Sequence, residues 1–190
     1  MTGETRNQSK VVWVAEAGLL IALLIVVQLL TFAVPKGVPL IGQLFTGSLV
    51  NLVLIVGAGS VGFSGTAIAA VLSPVLAFAF GQMAFPQMIP VVALGNLVIV
   101  AVTWAFFRRE NRKTGTDILG VVLGAVLKTA FLWLATAAVM VPVFFAAVPA
   151  VGKKLTLMFS WPQLVTALIG GVLALLILPA VRSYRGHRNG

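Results

Sequence analysis

Past its opening aspartate, the segment 117–148 carries one charged side chain, Lys128, in an otherwise apolar run. A helix that begins at Asp117 puts this lysine about 16 Å along its axis, at ~1.5 Å per residue. That is the middle of a ~30 Å hydrocarbon core. A lysine at such a depth costs roughly 2.5–3.5 kcal/mol on insertion scales, so it has to be met by an anion, by carbonyls or by water. The rest of the chain must supply, or admit, that partner.

The surroundings of this run are as apolar as the run itself. Sixty per cent of the 190 residues are hydrophobic and 9% are charged, with a mean hydropathy of +1.10. These values exclude an ordinary soluble domain and predict an all-α, polytopic membrane protein, residues 1–190 forming one membrane domain. The net charge of +9 does not point to nucleic acid, because most Lys and Arg sit in short clusters between apolar runs, as topology signals do. There is no cysteine, and the lone histidine, His187, lies in a basic tail. Neither a thiolate nor a clustered metal site is therefore expected. The first apolar run is too long for a signal-peptide core and lacks a cleavage site, so it reads as a span.

Six spans are predicted, at about 11–34, 44–58, 64–80, 88–107, 117–141 and 161–179. The second and third are separated by the glycine-rich stretch 57–65, read as a tight turn. Pro142 and Pro149 disturb the far end of the fifth. Placing both termini and the 108–113 loop in the cytoplasm collects nine Lys/Arg inside and leaves three, Lys36, Lys153 and Lys154, outside. The positive-inside rule selects that orientation. Trp13 and Trp104 then fall at the inner interface and Trp161 at the outer one.

Depth can then be assigned to the polar side chains. Gln28, Gln43, Thr46, Gln82, Gln87 and Gln163 lie near the outer mouth. Asn51 and Asn96 lie ~11 and ~12 Å below it, and Lys128 is deepest. Buried amides in lipid demand partners or a wet cavity. This distribution predicts an outward pocket with Lys128 at its floor and Thr46, Gln43, Asn51, Asn96 and Gln163 above it. Met83, Met88, Met140 and Met158, with Phe78, Phe80, Phe85, Phe131 and Trp133, supply apolar surface at the same end, as wall or as helix packing. The expected ligand is small, with an apolar body and an anionic end. The competing partner for Lys128 is Glu16, ~7 Å into the first span. Asn51 and Asn96 have a structural alternative too, as hydrogen bonds between helices. A stripe of small residues, Ala15, Gly18 and Ala22, marks the inner half of span one as a close-contact face, toward another helix of the bundle or toward a partner. Ala167/Gly171 and Gly170/Ala174 form similar pairs in span six.

No phosphate-binding G-x-x-x-x-G-K-[ST] loop, H-E-x-x-H or G-x-S-x-G motif occurs, and no pair of carboxylates lies within the spans. The expectation is a protein that is not an enzyme, with no catalytic residues and no cofactor. The stretch Thr46-Gly47-Ser48-Leu49-Val50-Asn51, the glycine turn, Ser73-Pro74, the run from Pro86 through Pro90 to Gly95-Asn96, and Lys128 together carry a resemblance. In size, layout and these motifs, the chain resembles the substrate-binding S components of prokaryotic energy-coupling factor (ECF) vitamin transporters.

That resemblance implies a multi-pass protein of the prokaryotic cytoplasmic membrane that holds a micronutrient in an outward pocket. It implies partners as well: a transmembrane coupling subunit and two cytoplasmic ATPases, with the S component toppling in the bilayer to carry its cargo inward. On this basis Pro35–Gln43 is a gating loop, and Asn96, Lys128 and Gln163 are cargo contacts, with Lys128 facing a carboxylate. Lipoate, pantothenate and biotin each present such a group. Gly18 and Ala22 match the pair that meets the coupling subunit, Gly18 standing where the family usually has alanine. The alternatives are a self-contained secondary transporter or channel for a small organic anion, and a structural membrane subunit. The absence of an internal repeat, and of embedded acids beyond Glu16, disfavours the carrier.

Overall fold

The computed structural model describes residues 3–33, 39–109 and 113–188. Its elements are helices, with no strand among the described residues. Helices α1 (Gly3–Leu30), α2 (Pro39–Ser60), α3 (Phe63–Ala79), α4 (Ile89–Phe107), α5 (Thr114–Ala135) and α8 (Trp161–Arg188) make up the bundle. A π-helical segment, Thr136–Met140, extends α5 into the short α6 (Val141–Phe144), and α7 (Pro149–Met158) caps that end. Among the described residues, five stretches are long and apolar enough to cross a membrane. The sixth helix, α3, has 17 residues and rises ~25 Å, the short limit for a crossing.

Contacts at the two ends show that the six long helices alternate in direction. At one end Trp13 Nε1 donates to Ser64 Oγ at 3.2 Å, Phe63 stacks against Trp104, and Arg182 reaches both Gly59 O and Asp117. At the other end Gln82 Nε2 donates to Gln28 O, Gln43 Nε2 to Met158 O, and Phe85 packs edge-on to Phe145. The start of α1 and the end of α8 therefore share one end.

Several boundaries differ from the sequence expectation, each for a local reason. The second span starts earlier than 44, because Pro39 opens α2, where a missing N–H costs nothing. Of the expected gating loop, 35–38 lie outside the described residues and 39–43 form the first turn of α2. The turn expected over 57–65 narrows to Val61 and Gly62, the latter at φ 95°, a conformation glycine adopts without strain. The region of Lys153 and Lys154, expected as loop, is the amphipathic α7. Pro142 does not end the fifth span directly; the π segment before it absorbs the disturbance.

Helix α2 is the centre of the bundle, packed most closely on α8 and also on α4, α1 and α3. The approach to α8 is tight because Gly170 faces the α2 backbone: a Cβ there would lie 2.5 Å from Ser48 O. One apolar cluster joins Leu20, Leu24, Leu54 and Val100; another joins Ile55, Ile99, Val121, Ala167 and Leu178. Met88, Leu132, Met140, Phe145 and Leu155 pack together beneath α7. Outside, Leu19, Leu23, Val26, Leu94, Val122, Leu127, Leu134, Val172 and Leu176 are exposed. Apolar residues on the outside of a helical bundle are what a lipid-facing surface requires, and the chain is a polytopic membrane protein by that criterion.

Candidate functional site: a buried lysine held by two asparagines

The three deepest polar residues expected from sequence meet at one point. Lys128 Nζ donates to Asn51 Oδ1 at 2.6 Å and to Asn96 Oδ1 at 2.8 Å. All three side chains are buried, Lys128 being 3% exposed. Asn51 comes down α2, Asn96 comes down α4, and Lys128 rises along α5 from the opposite end, so the three helices cross at the lysine. Its described partners are neutral amides, and the proposed bridge to Glu16 is not formed. Helix α1, which carries Glu16, packs instead on α3 and α2.

Each asparagine is oriented from behind. Asn51 Nδ2 donates to Gly47 O at 2.9 Å, one turn up its own helix, and to Thr166 Oγ1 at 3.4 Å on α8. Asn96 Nδ2 donates to Ala70 O at 3.3 Å. That carbonyl needs the bond, because its usual partner four residues on is Pro74, which has no N–H. In hydrocarbon an unpaired carbonyl costs several kcal/mol, so the proline in α3 and the asparagine in α4 serve each other. With their N–H groups turned away, both amides present only oxygen to Lys128. An ammonium has three N–H donors, and the two asparagines take two.

A polar seam leads from this point toward the α7 end. Thr166 Oγ1 donates to Gln163 O at 3.0 Å. Gln163 Nε2 and Gln43 Nε2 both donate to Met158 O, at 3.3 and 2.6 Å. Gln43 and Gln163 thus brace α2 to the α7–α8 corner, above Asn51 rather than against Lys128. Thr46 lies aside from the cluster, sharing a 2.6 Å hydrogen bond with Thr31. Gln28 is buried near them, its backbone oxygen accepting from Gln82.

The outward pocket expected above Lys128 is not open. The lysine and its two partners are buried, and two cavities, of about 560 and 330 Å³, lie elsewhere, along α5, α7 and the start of α8. Met88 and Met140 belong to the core, and Phe78 and Trp133 are exposed. Thr166 is the residue that sequence reading passed over. Its one signal was position: three residues after Gln163 and four before Gly170, it shares their face of the helix.

The stripe in α1 has a different environment. Ala15, Gly18 and Ala22 are all exposed, and a Cβ added at Gly18 would meet nothing within 4 Å. The stripe is therefore not a contact within the bundle. The similar residues of α8 are internal: Gly170 abuts α2, and Gly171 abuts Val121 of α5.

Comparison with known families gives the frame for this geometry. The family described as "ECF transporter, substrate-specific component" matches residues 13–182. Searches of curated proteins and of solved structures returned no match. The matched segment contains the lysine, both asparagines, Thr166 and the exposed stripe, nearly the whole length of the chain. The chain belongs to the substrate-specific components of ECF transporters.

Proposed function

We propose that this substrate-specific component captures a small carboxylate-bearing micronutrient from outside the cell and releases it inward, with Lys128 as the partner of the carboxylate. The observation that carries the proposal is the lysine's neutral cage: two amide oxygens orient it, and neither cancels its charge. A structural lysine in a membrane is ordinarily balanced by an acid or snorkels to the interface. This one is held at the crossing of three helices, with one donor unclaimed by the asparagines. Admission of the solute requires the Gln43–Met158–Gln163 brace to part and the α7 corner to move away. Both termini are cytoplasmic, which places α6 and α7 on the outer side, in accord with the distribution of Lys and Arg.

The reading is tested by thermal shift of the purified protein against carboxylate micronutrients, wild type beside Asn96→Asp. A ligand at a thousandfold its Kd adds about 4.1 kcal/mol to the folded state. Asn96→Asp gives Lys128 an internal counter-charge and takes away the donor to Ala70 O. Wild type is expected to be stabilised by one such compound. In Asn96→Asp, affinity for that compound should fall at least about tenfold, a change of ~1.4 kcal/mol, measured beside the Tm of the free variant, which reports separately the loss of the bond to Ala70 O. Equal affinity in the two proteins would show that the charge of Lys128 does not read the ligand.

Family membership brings ATPase and membrane-coupling subunits as partners in general. We place the coupling-subunit contact on Ala15, Gly18 and Ala22, the exposed small stripe of α1, because small residues let another helix approach closely. Ala22→Leu adds bulk to an exposed position and is expected to leave solute binding intact while reducing ATP-dependent uptake at least about tenfold, the effect of ~1.4 kcal/mol lost from a helix contact. Undiminished uptake by this variant would remove the stripe from the interface.

A further inference from the structure

The two cavities are not part of the lysine site, and they adjoin one another. Both are lined by Trp133 and Ser160. The larger continues over Val141, Phe145, Pro149 and Leu157 to Lys153; the smaller runs down the seam of α5 and α8 past Ala130 to Val126. Together they form one groove on the outside of the bundle, flanked by the exposed Trp133, Leu157 and Trp161. Its α5–α6 wall, from Val126 to Val141, rises about 22 Å, enough to cross the ~15 Å of hydrocarbon in one leaflet. Apart from Lys153 and the hydroxyls of Thr129, Thr156 and Ser160, the side chains lining the groove are apolar.

Charge settles the polar end of the occupant. Among the described side chains the acidic residues are Glu16 and Asp117, and both lie toward the end that carries Trp13 and Arg182. The described segments at the α7 end, 31–33, 39–46, 79–90 and 133–163, contain Lys153 and Lys154 and no Asp or Glu. Lys153 therefore stands at the rim of an apolar groove with no carboxylate, among the described residues, at its own end of the protein to pair with. We propose that the groove binds one anionic phospholipid of the adjacent leaflet, an acyl chain lying along Trp133 and Leu157 and the phosphodiester against Lys153. A bound lipid there would cover the π segment and α7, the elements that have to move for Lys128 to be reached.

The test uses the full chain in phosphatidylethanolamine vesicles containing either phosphatidylglycerol or phosphatidylcholine with a photoreactive acyl chain. Cross-links are mapped by peptide mass spectrometry and normalised to the lipid-facing side of α1 around Leu19 and Leu23. A basic residue near an anionic surface is worth about fivefold in occupancy. Phosphatidylglycerol should label the 126–164 segment about fivefold more than phosphatidylcholine, and Lys153→Ala should bring the two lipids to parity. Ala146→Trp, which fills the exposed upper groove, should lower labelling of that segment without changing α1. Equal labelling by the two lipids in wild type would overturn the proposal. So would a preference that survives Lys153→Ala, labelling unchanged in Ala146→Trp, or displacement of the lipid by inorganic phosphate or a soluble carboxylate, which would make the groove a solute site.

Discussion

Lys128→Met is expected to abolish binding of the carboxylate solute while leaving the protein folded. Methionine keeps most of the length of the side chain and removes the ammonium. Truncating one partner of a buried, hydrogen-bonded charge pair costs about 2–5 kcal/mol, so affinity should fall at least about thirtyfold. Stability moves much less, because two effects oppose each other. Asn51 and Asn96 each lose the donor to Oδ1, at roughly 1–3 kcal/mol apiece. Relieving the hydrocarbon of a lysine recovers roughly 2.5–3.5 kcal/mol. Thermal unfolding of the free protein, beside an equilibrium binding titration, separates the two. Binding within threefold of wild type would exclude Lys128 as the carboxylate's partner. A variant that unfolds would assign the lysine to holding α2, α4 and α5 together.

The second large effect is structural and lies on α8. In Gly170→Ala the new methyl would sit 2.5 Å from Ser48 O, 2.7 Å from Asn51 Cβ and 2.8 Å from Leu52 N. Two of these three are backbone atoms of a helix, which cannot rotate out of the way. Overpacking of this kind costs about 3 kcal/mol, against a gain of about 1 kcal/mol from replacing glycine inside a helix. A net loss of about 2 kcal/mol should appear as a lower Tm. Solute affinity should fall with it, because pushing α2 from α8 displaces Asn51 from Lys128. Gly18→Ala is the matched control: with nothing within 4 Å of the added carbon, only the helix-propensity gain remains. A wild-type Tm for Gly170→Ala would mean that the two helices are not held at this spacing.

Reading depth from sequence succeeded where residues sat on long regular helices. Asn51, Asn96 and Lys128 were placed at similar levels by counting ~1.5 Å per residue from the ends, and they meet in the structure. Counting could not say which way each side chain turns around its helix, and this is why Glu16 remained a candidate partner on depth alone. Nor could it separate the upper glutamines into a brace at Met158, since a backbone carbonyl carries no mark in sequence. The role of Thr166 was hidden for the same reason: a threonine in an apolar helix has the same letter whether it supports an amide or bonds its own backbone. The stripe of α1 and the glycines of α8 were indistinguishable patterns, and only their neighbours tell them apart.

The sequence by itself determined that the chain is a helical membrane protein with a lysine at mid-depth, because hydrophobic length and the cost of burying a charge are local quantities. It also carried the family, through short motifs local in the chain. The tertiary structure alone decided that the lysine's partners are two neutral amides, that the site is shut, that the small stripe of α1 faces outward, and that a separate groove runs beside α7. Each of these depends on the rotation and crossing of helices far apart in the chain, and that is set by packing such as Gly170 against the α2 backbone.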